Sequence, residues 1–534
     1  MMHNNHIPSF KIKYHVIKNW PSLAWVAILE PNRQSIIVKC GEKIETRKDW
    51  FCEAVWDGEF DDGDFDQTDI VAGSGARHRD QSLTFVSAGS LMDRLQYIQV
   101  GKATYISNSI LALAAEVDAN VDLTTDEYLD MFGSIAQGLR DYVSDFPTSK
   151  GNIKLVYYEN LIWNGNTLTE IKKPRIKRNL SSYGAYLSFM KSTMAAIVKN
   201  ANSSSRISSF SPIVPLSSGY DSPAVATIAA AAGVKEGISL VTDGKGRNDS
   251  GVEVGKILGY DVTACDRSDW QKHDLPEVDG IAASGNAAEV SVLAMADNLE
   301  DRLILTGFWG GQIWKKSQPE TRPIFGPHDG SGISWSEIRL TLGFINCPIT
   351  YWGGTQIADI VAISNSEEMD YWSIGGHYDR PIPRRITETA GVPRECFGQN
   401  KQGVSEHVLG AERFLTKESA EDYERWIRAN RLEWIRKGKL YPSPAAGKVI
   451  DKFLLHAFCP ISRKLMLPIL RRISTWPGMS ATKQWSHFLR QLIKTIQHRP
   501  LHYRRYTFPW AFEHAKGKYR EGKTILKGLR YAHE

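Results

Sequence analysis

Along the first 175 residues, apolar and β-branched positions come in strand-length runs: WVAIL (25–29), SIIVKC (35–40), LTFVSA (83–88), YISNSI (105–110) and KLVYY (154–158). Several alternate with polar residues, the period of a half-buried strand. Gly- and Asp-rich clusters separate them: DGEFDDGDFD (57–66), GSGARHRD (73–80) and WNGNTLT (163–169), each read as a turn. Only a stretch around Asp126–Ala136 has helical character. Such strands predict sheet layers and not βαβ units.

After a basic linker, KKPRIKRN (172–179), the pattern changes. A helix is predicted over 182–200, then an apolar strand ending at Leu216, a small-residue loop, and an alanine-rich helix with Pro223 in its first turn. A second unit follows: strand Gly237–Asp243, a Gly/Asn/Asp loop, helix Glu253–Gly259 and a strand edge at Val262. Arg302–Gly307 reads as a further buried strand ending at glycine. Strand–helix alternation predicts a parallel sheet, with ligands at the carboxyl ends of its strands. The fold class expected is therefore α/β, with a β-rich domain (1–175), a parallel-sheet domain (180–435) and a C-terminal segment (436–534).

Composition adds three things. Apolar residues at 42% and charged residues at 23% over 534 residues suit a folded multidomain protein. The N-terminus has no signal-like apolar core, no apolar run reaches about 18 residues, and the six cysteines show no CxxC spacing. A cytoplasmic chain without disulfides or a zinc site is expected. The net charge of +5 is uneven: residues 436–534 carry 21 Lys/Arg against four acids, or +17, which leaves −12 upstream. In that tail, basic and apolar residues interleave at near-helical spacing, with Pro460 and Pro468 as breaks. Amphipathic helices packed on the main body are the first reading, and peripheral contact with an anionic membrane the second. Nucleic acid ranks last, since no recognition motif is present.

The loop between strand and alanine-rich helix reads Ser217-Ser218-Gly219-Tyr220-Asp221-Ser222. A helix N-terminus offers free N–H groups and partial positive charge to phosphate oxygens. The serine hydroxyls can donate to pyrophosphate, Gly219 permits close backbone approach, and Asp221 can hold Mg²⁺. No Walker sequence is present. The loop resembles the S-G-G-x-D-S loop of the ATP pyrophosphatases, with Ser218 in place of a glycine. Gly73-Ser74-Gly75-x-Arg77 followed by Tyr105-x-Ser107-Asn108-Ser109 resembles the glutaminase-like (Ntn-type) domain of asparagine-synthetase-type proteins. Together these likenesses, over residues 50–410, imply a glutaminase-like domain followed by an ATP pyrophosphatase (HUP-like) domain.

The resemblance implies site residues. Ser217, Ser218, Gly219, Tyr220 and Ser222 would bind ATP phosphates, Asp221 would ligate Mg²⁺, and Val241, Thr242 and Asp243 would line the adenine pocket. Gly307 would stand at the loop after the third strand. Gly311 and Gln312 occupy positions where the family carries acids, so one Mg²⁺ ligand is missing. A family segment is matched by Tyr378–Ile386, Ala390–Arg394 and Phe397–Lys401, and it implies catalytic cations at Lys401 and Arg385. In glutamine-using members the nucleophile is a cysteine at position 2; this chain begins Met1-Met2-His3, so no glutaminase activity is expected. The function implied is an ATP-dependent ligase or amidotransferase. It would adenylate a small-molecule or peptide carboxylate and form an amide with ammonia or an amine, releasing AMP and pyrophosphate. The competing expectation is a nucleotide-binding or scaffold protein that retains the fold without catalysis. A tRNA-modifying pyrophosphatase is a third.

Overall fold

The computed structural model describes residues 10–123, 128–316, 325, 330–399, 415–436 and 506–520. The chain is α/β, with a β-rich N-terminal region and a separate sheet of parallel strands. The N-terminal region holds two sheets. The seven-stranded sheet runs Lys11–Val16, Ser35–Cys40, Trp25–Leu29, Ala103–Ser107, Arg94–Val100, Gly151–Tyr157, Asp145–Thr148; the six-stranded one runs Leu168–Ile171, Asn160–Trp163, Ser82–Val86, Val71–Arg79, Trp50–Trp56, Glu45–Thr46. All their pairings are antiparallel except Lys11–Val16 with Ser35–Cys40.

Alternation explains the layering. Ile36, Val38 and Cys40 point inward from one strand, and with Trp25, Leu95, Ile106 and Val156 they form one wall of a buried cluster. Phe51, Ala76, Leu83, Phe85, Leu161 and Trp163 from the other sheet form the opposing wall. The two sheets therefore pack face to face around a common core.

The five predicted strand runs all appear, and 163–169 is the expected hairpin turn. GSGARHRD departs from expectation: it is no turn but most of strand Val71–Arg79, central in its sheet. The glycines serve close packing there. A Cβ at Gly73 or Gly75 would drive into the carbonyl oxygens of Glu53 and Phe51 on the neighbouring strand.

The third sheet is parallel throughout, in the order Asp261–Cys265, Glu236–Leu240, Ser211–Pro215, Arg302–Thr306, Ile345–Pro348. Its first strand in sequence is central. The chain winds outward on one side and later resumes on the other, which makes a topological switch point between Ser211–Pro215 and Arg302–Thr306. Helix Tyr183–Ala201, capped by the Ser182 side chain, joins the regions. Its stripe Tyr186, Met190, Met194, Ile197 and Ala201 is buried at helical spacing, and it touches strands Trp50–Trp56 and Ser211–Pro215.

A buried ionic group ties the regions together. Arg339, on helix Trp335–Leu342, donates to both Glu53 (2.7 Å) and Asp93 (2.8 Å). Glu53 also accepts from Ser74 (2.6 Å) and Asn108 (3.1 Å), two residues of the motifs at 73–77 and 105–109. Those motif residues thus act here as structural connectors.

Of the basic C-terminal segment, residues 506–520 are described, and they are embedded. Helix Thr507–Lys516 stacks Phe508 on Tyr128 at 4.5 Å, buries Trp510, and sends Lys516 to the Ala119 carbonyl (2.8 Å). Helix Thr507–Lys516 follows the packing expectation. Among the described residues no helix is long and apolar enough to cross a bilayer.

Candidate functional site at the switch point of the parallel sheet

Strand Ser211–Pro215 passes into loop 216–220 and then helix Asp221–Ala231. The loop is built by its own serines. Ser217 and Ser222 hydroxyls lie 2.8 Å apart, the Ser217 N–H donates to Ser222 Oγ (2.9 Å), and the Gly219 N–H donates to Ser217 Oγ (3.3 Å). Ser218 is held from outside, with both its N–H (3.1 Å) and hydroxyl (2.7 Å) donated to Asp249 Oδ1. Burial pushes the Asp249 carboxyl above the usual range, opposed by those Ser218 bonds. A Cβ at Gly219 would meet nothing nearer than Ser217 Oγ at 3.5 Å, so the fold itself does not demand glycine there.

The loop after strand Arg302–Thr306 closes on this helix start. A Cβ at Gly307 would lie 2.8 Å from Asp221 Cβ, and one at Gly310 would lie 2.5 Å from Asp221 Cγ. Trp309 between them takes a left-handed backbone (φ 70°) and stacks on Tyr351 at 4.7 Å. A bulky residue in that conformation is strained and is held by its surroundings. Both loops leave the carboxyl ends of adjacent strands at the switch point, where open α/β sheets place ligands.

Segment 378–398 supplies the third wall. Arg380 forms an ion pair with Asp221, and its Nη2 faces Gly311, where a Cβ would lie 2.6 Å away. Arg384 donates to the Tyr220 hydroxyl and stacks over its ring at 5.0 Å. The Gly398 N–H donates to the Ser218 carbonyl (2.8 Å), and its left-handed backbone (φ 66°) presses on the Tyr220 ring, where a Cβ would lie 2.5 Å away.

Of the expected residues, Ser217, Ser218, Gly219, Asp221, Ser222 and Gly307 converge on one place. Tyr220 belongs to that loop only by its backbone; its side chain is fully buried between Tyr378, Phe397 and Arg384, so it is a core residue. Val241, Thr242 and Asp243 follow strand Glu236–Leu240, next to the loop. Val241 accepts from the Asp249 N–H (3.1 Å). Asp243 spends its carboxylate on the N–H groups of Lys245 and Arg247 (2.9 Å each) and on the Arg247 guanidinium, closing its own turn.

Arg385 is not at the site: it pairs with Glu368 (2.9 Å) and stacks over Tyr183 at 3.9 Å. Successive helical residues point about 100° apart, so Arg384 faces the loop on helix Pro381–Thr389 and Arg385 faces away. Lys401 lies outside the described residues. Sequence reading missed Arg380 and Asp249. Arg380 stood undistinguished among three arginines of one segment, and Asp249 sat in a loop whose polar residues suggested only a turn.

No family model and no curated protein matches the chain. The site must therefore be argued from its own groups.

Mg²⁺ was expected on Asp221. One Asp221 oxygen carries the Arg380 guanidinium, and the other is buried with no hydrogen-bond partner among the described residues. Gly310 and Gly311 offer no side-chain oxygen, and among the described residues no group of three or more His, Cys, Asp or Glu could hold a metal. A single carboxylate already neutralised by a cation does not fit a protein-held Mg²⁺.

The cysteines nearest the N-terminus do not resemble nucleophiles. Burial pushes the Cys40 and Cys52 thiols up to about 12, so they stay protonated and inert at neutral pH.

Proposed function

We propose that the chain is an ATP-dependent carbon–nitrogen ligase of the asparagine-synthetase kind. The observation that carries this reading is the meeting of loop 217–222 with Gly307 at the switch point, at the N-terminus of helix Asp221–Ala231. Serine hydroxyls and free helix N–H groups there suit a polyphosphate. Gly219 carries no side chain, which lets a phosphate approach the backbone there.

In the proposed reaction a substrate carboxylate oxygen attacks the α-phosphorus of ATP. The bond to the bridging oxygen breaks, and pyrophosphate leaves with the electron pair. Ammonia or an amine then attacks the acyl carbon, AMP departs, and the nitrogen's proton goes to solvent. The chain's contribution is positioning and charge compensation. The wall formed by Val241, Thr242 and Asp243 would take the adenine.

Calorimetry with a non-hydrolysable ATP analogue tests the reading, comparing wild type with Gly219→Val. The valine meets no backbone clash in the folded chain but fills the phosphate space. Binding by wild type and a loss of at least about tenfold, roughly 1.4 kcal/mol, in the variant is the expected result. Equal affinities would remove the loop from the site. Pyrophosphate release stimulated by a carboxylate substrate then separates catalysis from binding. The ion pair on Asp221 favours a second reading, a nucleotide-binding protein without turnover; binding with no release across a carboxylate panel would select it.

A further inference from the structure

We propose that Arg380 takes the place of a divalent cation at this site, so that the crevice binds a nucleoside polyphosphate in metal-free form. The inference rests on the nucleotide reading and specifies which form of the ligand the site accepts.

Three features of the geometry converge. Asp221, the carboxylate that would hold a metal, is already paired with the Arg380 guanidinium, whose side chain is only 9% exposed. Burial works against charge on Arg380, but Asp221 beside it more than compensates, and the guanidinium stays cationic. The loop opposite carries no carboxylate at Gly310 or Gly311, and a Cβ at Gly311 would lie 2.6 Å from Arg380 Nη2, so a side chain there would require the guanidinium to move. Arg380 is fixed from below by the Tyr378 ring, 5.0 Å from its Cζ. Among the described residues its only side-chain hydrogen bond goes through Nη1 to Asp221, which leaves its remaining donors for a ligand.

The chemistry follows from the group. A guanidinium offers five donors in a planar fork and binds phosphate oxygens in pairs. It donates to phosphate oxygens that a metal would otherwise hold, and it is more weakly hydrated than a compact cation. Asp221 then acts as a positioning residue for Arg380. The pair is net neutral, so the favourable potential at the site comes from the start of helix Asp221–Ala231 together with the guanidinium face turned to the crevice.

The test is ATP affinity by calorimetry on the full chain, in EDTA and in excess Mg²⁺, for wild type, Arg380→Ala and Arg380→Lys. Wild type is expected to bind in EDTA within about threefold of its affinity in Mg²⁺, a difference under about 1 kcal/mol. Arg380→Ala should lose at least about tenfold in EDTA and recover part of that with Mg²⁺, because Asp221 is released for the metal. Arg380→Lys, which keeps the charge but not the fork, should fall between and guards against a folding defect in the alanine variant. Wild-type binding that needs Mg²⁺ would overturn this inference and leave the nucleotide reading standing. Failure of wild type to bind ATP in either buffer would overturn both.

Discussion

At the scale of single residues, the site depends on carboxylates whose partners lie far away in sequence. Asp249 fixes Ser218 through both its backbone and its hydroxyl, so Asp249→Ala leaves the loop without its outer tether. We expect a stability loss of about 1–2 kcal/mol in chemical denaturation and weaker analogue binding by calorimetry. Glu337 lies elsewhere, buried between Ser109 (2.8 Å), the Ile110 N–H (2.9 Å) and Tyr519, with Arg94 and Asp279 acting on its charge. Burial pushes its carboxyl from 4.5 to about 7. The folded state thus holds a proton that the unfolded state releases, and stability should fall as pH rises from about 4.5 to 7, by up to about 1.4 kcal/mol per unit. Glu337→Gln should flatten the Tm-versus-pH curve in that window; a curve unchanged by the substitution would contradict the assignment. Sequence pattern marked the loop serines and Asp221 because helix-start chemistry is local. It chose Arg385 over Arg380 because nothing local tells which arginine in a segment reaches across to Asp221.

At the scale of elements, glycines report where segments must touch. Gly307 lets the loop after strand Arg302–Thr306 lie against the start of helix Asp221–Ala231. Gly307→Ala should cost about 1–3 kcal/mol by forcing the two apart, with a parallel loss of analogue affinity. At Gly219 the same substitution meets only ordinary contacts, so its stability by denaturation should stay near wild type. Four strands of the parallel sheet and the helices after two of them were legible from period and punctuation, whereas strand Ile345–Pro348 was not marked by the sequence pattern. GSGARHRD misled for a physical reason: two glycines that read locally as a turn serve a strand pressed against its neighbour's backbone.

At the scale of the molecule, Arg339 joins the β-rich region to the parallel-sheet region, with 1% exposure and two carboxylates at hydrogen-bond distance. Arg339→Ala would leave Glu53 and Asp93 buried without their counter-charge, which costs about 3–5 kcal/mol. Scanning calorimetry should show a markedly lower Tm and a separation of the two regions into distinct transitions; a single transition at the wild-type temperature would deny the coupling. Helix Thr507–Lys516, from the basic tail, is wedged beside the same junction. Its Lys516 donates to the Ala119 carbonyl and to Asn120 Oδ1, and Lys518 just beyond it pairs with Asp279.

The sequence by itself determined what depends on neighbours along the chain. That includes the alternating strands of the first region, the strand–loop–helix units of the second, the helix-start loop at 217–222, and the absence of a long apolar span among the described helices. Tertiary structure decided what depends on distance through space. It folded the two β-sheets onto one core, set strands Ser211–Pro215 and Arg302–Thr306 side by side at the switch point, and brought Arg380 to Asp221 across 159 positions. Periodicity encodes which face of an element is buried, but not which element will cover it. The cation at this crevice is therefore visible only once the sheet order is known.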